Sequence, residues 1–234
     1  MTTQEKKDAL LSRERFDFDD LCAIMQILRS EEGCVWDREQ DHHSIRSSLI
    51  EEAYEVIEAI DTEDPALLRE ELGDLLFQVV FHACIEEEEK RFCMGDVIHD
   101  ISYKMIHRHP HVFSTVQVKD SEEVLSNWEA IKTEEKQRNT LVDRLRAVPP
   151  MLPALMRASK VGKKAELFAD RSCADILDML SAHVEEMRLC EAPTAEQIGE
   201  LLMTVTHLSR HAKVDAEEAL SHYTDRIIDK IAEN

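Results

Sequence analysis

Residues 44–91 read SIRSSLIEEAYEVIEAIDTEDPALLREELGDLLFQVVFHACIEEEEKR. Leu49, Ala53, Val56, Ile57 and Ile60 recur at helical spacing and predict a helix over residues 44–60 with these five as its core stripe. Asp64-Pro65 then restarts the chain, because Asp64 suits an N-cap and Pro65 the first helical position. A second helix is expected over residues 66–91, burying Leu72, Leu75, Leu76, Val79 and Val80. Glu52/Glu55 and Glu71/Asp74 are each spaced i, i+3, so each pair points one way from its helix. If the two helices fold back on each other, four carboxylates converge. Such a cluster repels itself and is relieved by partial protonation or by a cation. An all-oxygen donor set favours Mg²⁺, Mn²⁺ or Ca²⁺.

The competing reading is two acidic faces in solvent, the default for charge runs. Here the second pair borders an apolar stripe at Leu72, Leu75 and Leu76, which favours the metal. Gly73, unfavourable inside a helix by about 1 kcal/mol, suggests close approach of another group. A di-iron carboxylate centre would want Glu-x-x-His twice, and neither pair has a histidine.

Outward from this segment the chain stays helical. Five glycines and six prolines in 234 residues favour long helices over many short strands, so the expected class is all-α. Residues 1–17 form a charged N-terminal extension. Residues 18–29 carry Leu21, Ile24, Met25 and Leu28 on one helical face, and residues 31–37 read as a loop. A fourth helix is expected over residues 96–108, ended by His109-Pro110. We therefore divide the chain into the extension, a domain at 18–113, a connector at 114–150 with one helix over 121–138, and a second domain at 151–234. Trp128 and Ile131 are the expected packing residues of the connector.

The second domain echoes the first. LGDLLFQV at 72–79 aligns with IGELLMTV at 198–205, and Glu51-Glu52 with Glu185-Glu186. Glu55 is matched by Leu189 and Glu71 by Gln197, so two of the four candidate ligands are missing while the apolar stripe persists. The metal is expected in the first domain.

A net charge of −21 repels nucleic-acid polymers and anionic membranes, but not a small phosphorylated substrate whose charge a metal offsets. The six cysteines form no C-x-x-C pair and read as reduced thiols in the cytoplasm. No signal peptide is apparent at the start, and the apolar run at 75–85 is too short to span a bilayer. His107, His109 and His111 alternate around Pro110, which suits helix-end packing better than zinc. His42-His43 reads as a surface loop. Trp36 is either a core anchor or a base-stacking surface. Lys104 and Arg108 share one helical face, as an exposed basic edge or as a phosphate clamp.

Several strings, in order, resemble one family. Glu51-Glu52-x-x-Glu55 with Glu71-x-x-Asp74 is similar to the signature of the MazG nucleoside triphosphate pyrophosphohydrolases. So are GCVWDREQ at 33–40, GDLLFQVVF at 73–81, RHPHVF at 108–113 and Trp128-Glu129-x-Ile131-Lys132. Val35 departs from the family's usual proline.

The resemblance implies tandem all-α MazG bundles that form a homodimer. It also implies Mg²⁺-dependent hydrolysis, with Mn²⁺ a possible substitute, of nucleoside triphosphates to monophosphate and pyrophosphate. By position, Glu52, Glu55, Glu71 and Asp74 would hold the metal and Glu51 would orient the attacking water. Trp36, Arg38, Lys104 and Arg108 would contact the base and phosphates. Two alternatives stay open: a helical interaction protein with a vestigial site, and a narrower dUTP- or dCTP-type pyrophosphohydrolase.

Overall fold

A computed structural model of the chain describes residues 2–135 and 140–233. Among them there are helices and no strands, so the fold is all-α. The chain divides into two compact units, one up to Ser121 and one from Glu122.

The first unit contains α1 (Thr3–Leu11), α2 (Phe18–Leu28), α3 (Val35–Glu39), α4 (Arg46–Asp61), α5 (Pro65–Glu88), α6 (Met94–Arg108) and α7 (Pro110–Phe113). α4 and α5 form an antiparallel hairpin, and α2 and α6 pack on α5. The hairpin turn is built locally. Thr62 caps α4 and Glu63 follows in the left-handed region at φ 53°. Asp64 N–H donates to Ala59 C=O at 3.2 Å and Glu63 N–H to Ile60 C=O at 3.1 Å, the paired bonds of a Schellman motif. The Asp64 carboxylate accepts from the N–H groups of Ala66 and Leu67, and Pro65 opens α5.

The core of this unit is Met25, Ile45, Val80, Phe81, Cys84 and Ile85. It lies lower on α5 than the apolar pattern predicts, since the buried run starts at Gln78 while Leu72 and Leu76 are exposed. On α4 the predicted stripe is also only partly buried: Ile57 and Ile60 are 50% and 55% exposed, and Ala59 is the fully buried residue. The cause is packing partners. α4 meets α5 and little else in its unit, so a stripe wide enough for two neighbours has one.

The extension is more ordered than a charged start suggests. Thr2 and Glu5 form a reciprocal capping box that opens α1, which packs on α2. Residues 35–39 form the short helix α3 where a loop is expected. Gly33 is required just before it, because a Cβ there would lie 2.2 Å from the carbonyl oxygens of both Ile27 and Leu28.

The second unit contains α8 (Ser121–Glu135, its first residue on the other side of the division), α9 (Leu141–Arg146), α10 (Ala154–Lys164), α11 (Cys173–Arg188), α12 (Ala195–His211) and α13 (Ala216–Ala232). The connector thus contributes two helices, and its predicted helix end at 136–138 falls outside the described residues. α11 and α12 form the hairpin that echoes α4 and α5, with α10 against α12 as α2 is against α5.

Candidate metal and nucleotide site

The α4–α5 hairpin brings three of the four predicted ligands together. Carboxylate oxygens of Glu52, Glu55 and Glu71 lie within 4.8 Å of one another. Asp74 stays outside that group, one turn further along α5, but its charge acts on both Glu52 and Glu71. Partial burial is the first cause that raises the pKa of Glu52, followed by the charges of Asp74 and Glu55. Burial likewise leads at Glu71, followed by Glu55, Asp74, Glu70 and Glu52. No cationic side chain contributes at either position.

This donor set fits a hard divalent cation. The oxygens are close enough to share one ion, and carboxylates left without one repel each other. Gln78, two turns below Glu71 and buried, supports the reading. Its Nε2 donates to Glu52 at 3.4 Å, while its Oε1 is buried with no hydrogen-bond partner. Such an orphaned acceptor is unfavourable unless something completes it. Glu51, the predicted water-orienting residue, is exposed and outside the converged group, as adjacent helix positions point about 100° apart.

The predicted substrate residues are dispersed over α3 and α6. Trp36 is 61% exposed, which removes the core-anchor reading. Arg38 is exposed and donates to the Glu31 carbonyl at 2.7 Å. Lys104 is half-buried, whereas Arg108 is 7% exposed, so it is no solvent-exposed basic edge. Among the described residues Trp36, Arg38 and Lys104 have no hydrogen bond or ion pair to the three carboxylates. Gly73 does not meet the close approach its position suggests, for nothing in the chain lies within 4 Å of a Cβ built there.

Two polar networks below the hairpin escaped sequence reasoning. Arg29 makes a bidentate ion pair with Glu88 (2.7 and 2.8 Å), donates to the carbonyls of Asp37 and Gln40, and sits 5.3 Å over the Phe81 ring. It thereby ties α2, α3 and α5 together. A lone arginine at the end of an apolar helix signals only a helix terminus, so nothing in the sequence marks it. His42, expected in a surface loop, is instead stacked on His82 with its Nδ1 2.8 Å from His82 Nδ1. Its Nε2 reaches Glu86, which Arg91 also holds. The Arg91 hydrogen bond, then His42, pull the Glu86 carboxyl down to about 2.

In the second unit Glu186 and Glu200 occupy the positions of Glu52 and Asp74, and neither belongs to a metal-sized group among the described residues. Leu189 is the exposed C-cap of α11. Gln197 is spent on a capping box, its Oε1 accepting from Thr194 N–H at 2.9 Å.

The hairpin lies in a segment that matches a known protein family. The profile of the MazG nucleotide pyrophosphohydrolase domain matches residues 40–113, a span that holds all four hairpin acids. A nucleoside triphosphate pyrophosphohydrolase/pyrophosphatase MazG of Thermotoga maritima is 38% identical over 218 residues, covering 91% of this chain and 83% of that protein. A nucleoside triphosphate pyrophosphohydrolase of Escherichia coli K12 is 41% identical over 218 residues, 89% of this chain and 83% of its own length. A namesake from Mycobacterium tuberculosis is 38% identical over 157 residues, 64% of this chain and 47% of that protein. With identity of this order running through both units, the chain belongs to the MazG nucleotide pyrophosphohydrolase family.

Proposed function

We propose that this chain hydrolyses nucleoside triphosphates, ribo and deoxy, to the monophosphate and pyrophosphate, with Mg²⁺ held by the first unit. The observation that carries the proposal is the convergence of Glu52, Glu55 and Glu71 without a compensating cation, inside the segment that matches the family. The relatives named above act on nucleoside triphosphates by their own names, which supports the substrate class. A divalent ion bound there supplies charge neutralisation for the triphosphate and a lowered pKa for a water.

The chain's own residues have distinct parts in this reading. Glu52, Glu55 and Glu71 are ligands and Asp74 completes the set from the adjacent turn. Gln78 orients Glu52 through its amide. Glu51, exposed beside the cluster, would accept a proton from the attacking water or hold it in line. Lys104 is the accessible cation of α6 for phosphate oxygens, and Arg38 and Trp36 are open to a phosphate and a base. Arg108, being buried, would act by fixing the end of α6 or on a phosphate that enters with it. The second unit keeps the hairpin but not the ligands, and is proposed as a degenerate MazG-like domain without catalysis.

A homodimer is favoured by apolar side chains left open on the hairpin and α6: Ile57, Ile60, Leu72, Leu76, Ile98 and Ile101. Six free cysteines favour a reducing, cytoplasmic setting. Among the described residues no helix is long and apolar enough to cross a membrane.

The test is to incubate the purified chain with each nucleotide, with Mg²⁺ and with chelator, and to separate products by ion exchange. Monophosphate plus pyrophosphate, only with metal, is expected. Diphosphate plus orthophosphate would overturn the bond assignment, and metal-independent turnover would remove the carboxylate site from the reaction. Light scattering on the same sample reads the oligomer.

A further inference from the structure

Between Asp143 and Glu166 the chain carries Arg144, Arg146, Arg157, Lys160, Lys163 and Lys164 and no acid, although its net charge is −21. The fold concentrates this segment further. α8, α9 and α10 surround a cavity of about 690 Å³ lined by Lys132, Arg144, Lys160, Lys163 and Lys164. Lys160, Lys163 and Lys164 are spaced i, i+3, i+4 and so share one face of α10. Lys132 enters from α8 and Arg144 from α9.

Two acids also line the cavity, and they do not neutralise it. Glu129 is engaged with Lys132 at 3.3 Å, and Glu166 is the other. Five cations against two anions leave an excess of three positive charges. Among the described residues, no carboxylate comes within ion-pair distance of Arg144, Lys160, Lys163 or Lys164. Converging like charges are unfavourable, and the penalty is relieved when an anion enters.

The size and charge define the ligand class. The volume falls within the range of small-molecule sites, about 300–1000 Å³. A nucleic-acid polymer would have to approach a protein of net charge −21. A compact anion with three or four negative charges matches the excess. Lysine and arginine donors on several sides suit the oxygens of a phosphate chain.

We propose that this cavity of the second unit binds a polyphosphate anion: a free di- or triphosphate, or the triphosphate end of a nucleotide. The cavity belongs to the other unit from the carboxylate cluster, and binding in it does not depend on hydrolysis there. It gives the unit that lacks metal ligands a binding task of its own, by charge rather than through a metal.

The experiment is calorimetric titration of the full chain in EDTA, with inorganic triphosphate and with ATP as probes. It is run on the wild type and on Glu52→Gln/Glu71→Gln, so that neither metal nor the first-unit cluster contributes. A single saturable site is expected in both proteins, weakening as salt rises. Lys160→Gln/Lys163→Gln is expected to weaken it about tenfold or more, since each lysine offers a charge-assisted hydrogen bond. Glutamine keeps helix propensity close to lysine, and a thermal unfolding curve verifies the fold. Equal affinity for the two probes assigns binding to the phosphate chain alone, and tighter ATP adds a nucleoside contact; both uphold the site. No saturable binding by folded wild type, or undiminished affinity in the lysine variant, would overturn it.

Discussion

The hairpins α4–α5 and α11–α12 share one sequence pattern, and they differ by length before they differ by chemistry. From Glu52 to Asp74 is 22 residue steps, whereas from Glu186 to Glu200 it is 14. α4 runs on to Asp61, past Glu55, but α11 stops at Arg188 and leaves Leu189 as its cap. α5 begins six residues before Glu71, but α12 begins two before Gln197, which becomes part of a capping box. The absent turns are the ones that carry two of the proposed ligands, Glu55 and Glu71, in the first hairpin. A hairpin shorter at its tip lacks the positions at which carboxylates can face each other across it, so the difference at 189 and 197 is one of architecture and not of two isolated residues.

The interiors diverge in the same sense. Gln78, Val80 and Phe81 on α5 correspond to Thr204, Thr206 and His207 on α12, and all six are buried. Thr204 and Thr206 satisfy their hydroxyls by donating to the carbonyls of Glu200 and Leu202, both at 2.8 Å. His207 Nε2 has no hydrogen-bond partner, and the ring packs edge-on against Phe168 with centroids 4.6 Å apart. Gly162 makes room for it, as a Cβ there would lie 2.2 Å from His207 Cε1. At these matched helix positions one hairpin buries two apolar side chains beneath a charged site, where the other buries a threonine and a histidine.

The largest expected effect tests the difference in sites. Glu52→Gln or Glu71→Gln should lower kcat for nucleotide hydrolysis by about a thousandfold and abolish Mg²⁺ binding measured by calorimetry, with unchanged circular dichroism. Glu185→Gln/Glu186→Gln should leave kcat within about twofold. Loss of turnover in the second pair with folding intact would break the comparison.

The cores come next. Phe81→Ala should cost about 3–5 kcal/mol in denaturant unfolding, through a cavity and the lost contact with Arg29. His207→Leu, close to it in volume, should instead change stability by less than about 1 kcal/mol, because removing the buried unpaired Nε2 offsets the loss of the hydrogen bond between Arg210 and Nδ1. Acid sharpens this. Burial, then Arg210 and His211, hold the His207 pKa below the ordinary imidazole value, so the unfolded chain takes up the proton first. Stability from this residue is full above about pH 6.5 and falls as the pH drops toward the lower folded-state pKa. Amide exchange in α12 should rise over that window in the wild type and not in His207→Leu. An identical acid response in both proteins would assign the effect elsewhere, His82 being the other histidine with a depressed pKa.

How much of this was legible in the sequence follows from the range of the forces involved. Asp64-Pro65, the i, i+3 acids and the break at His109-Pro110 act within one or two helical turns, and α5, the carboxylate group and the end of α6 follow them. The Thr2/Glu5 and Thr194/Gln197 capping boxes are equally local and follow the S/T-x-x-E/Q pattern, but the same residues also fit a charged terminus and a counterpart of Glu71. Burial was less legible. Ile57, Ile60, Leu72 and Leu76 have the right spacing for a core, but spacing does not reveal how many neighbours a helix has. Arg29, Arg108 and His42 are placed by partners far away in sequence, which a local pattern does not carry.

The smallest effect decides what approaches the first hairpin. Gly73 and Gly199 are equivalent, both exposed and both free of any atom within 4 Å of an added Cβ. By helix propensity alone, Gly73→Ala and Gly199→Ala should each stabilise by about 1 kcal/mol or less, read as a higher denaturant midpoint at constant slope. Gly199→Ala should do only that. At Gly73, beside Glu71 and Asp74, a methyl group is neutral for an isolated chain but obstructs anything that must lie against the helix, whether nucleotide or second copy. A raised KM with the same oligomer would put the nucleotide against Gly73. A shift toward monomer at equal KM would put the second copy there. Unchanged kinetics and assembly would mean that the glycine, like its counterpart, has no neighbour, and that the two hairpins differ only at their tips and in their cores.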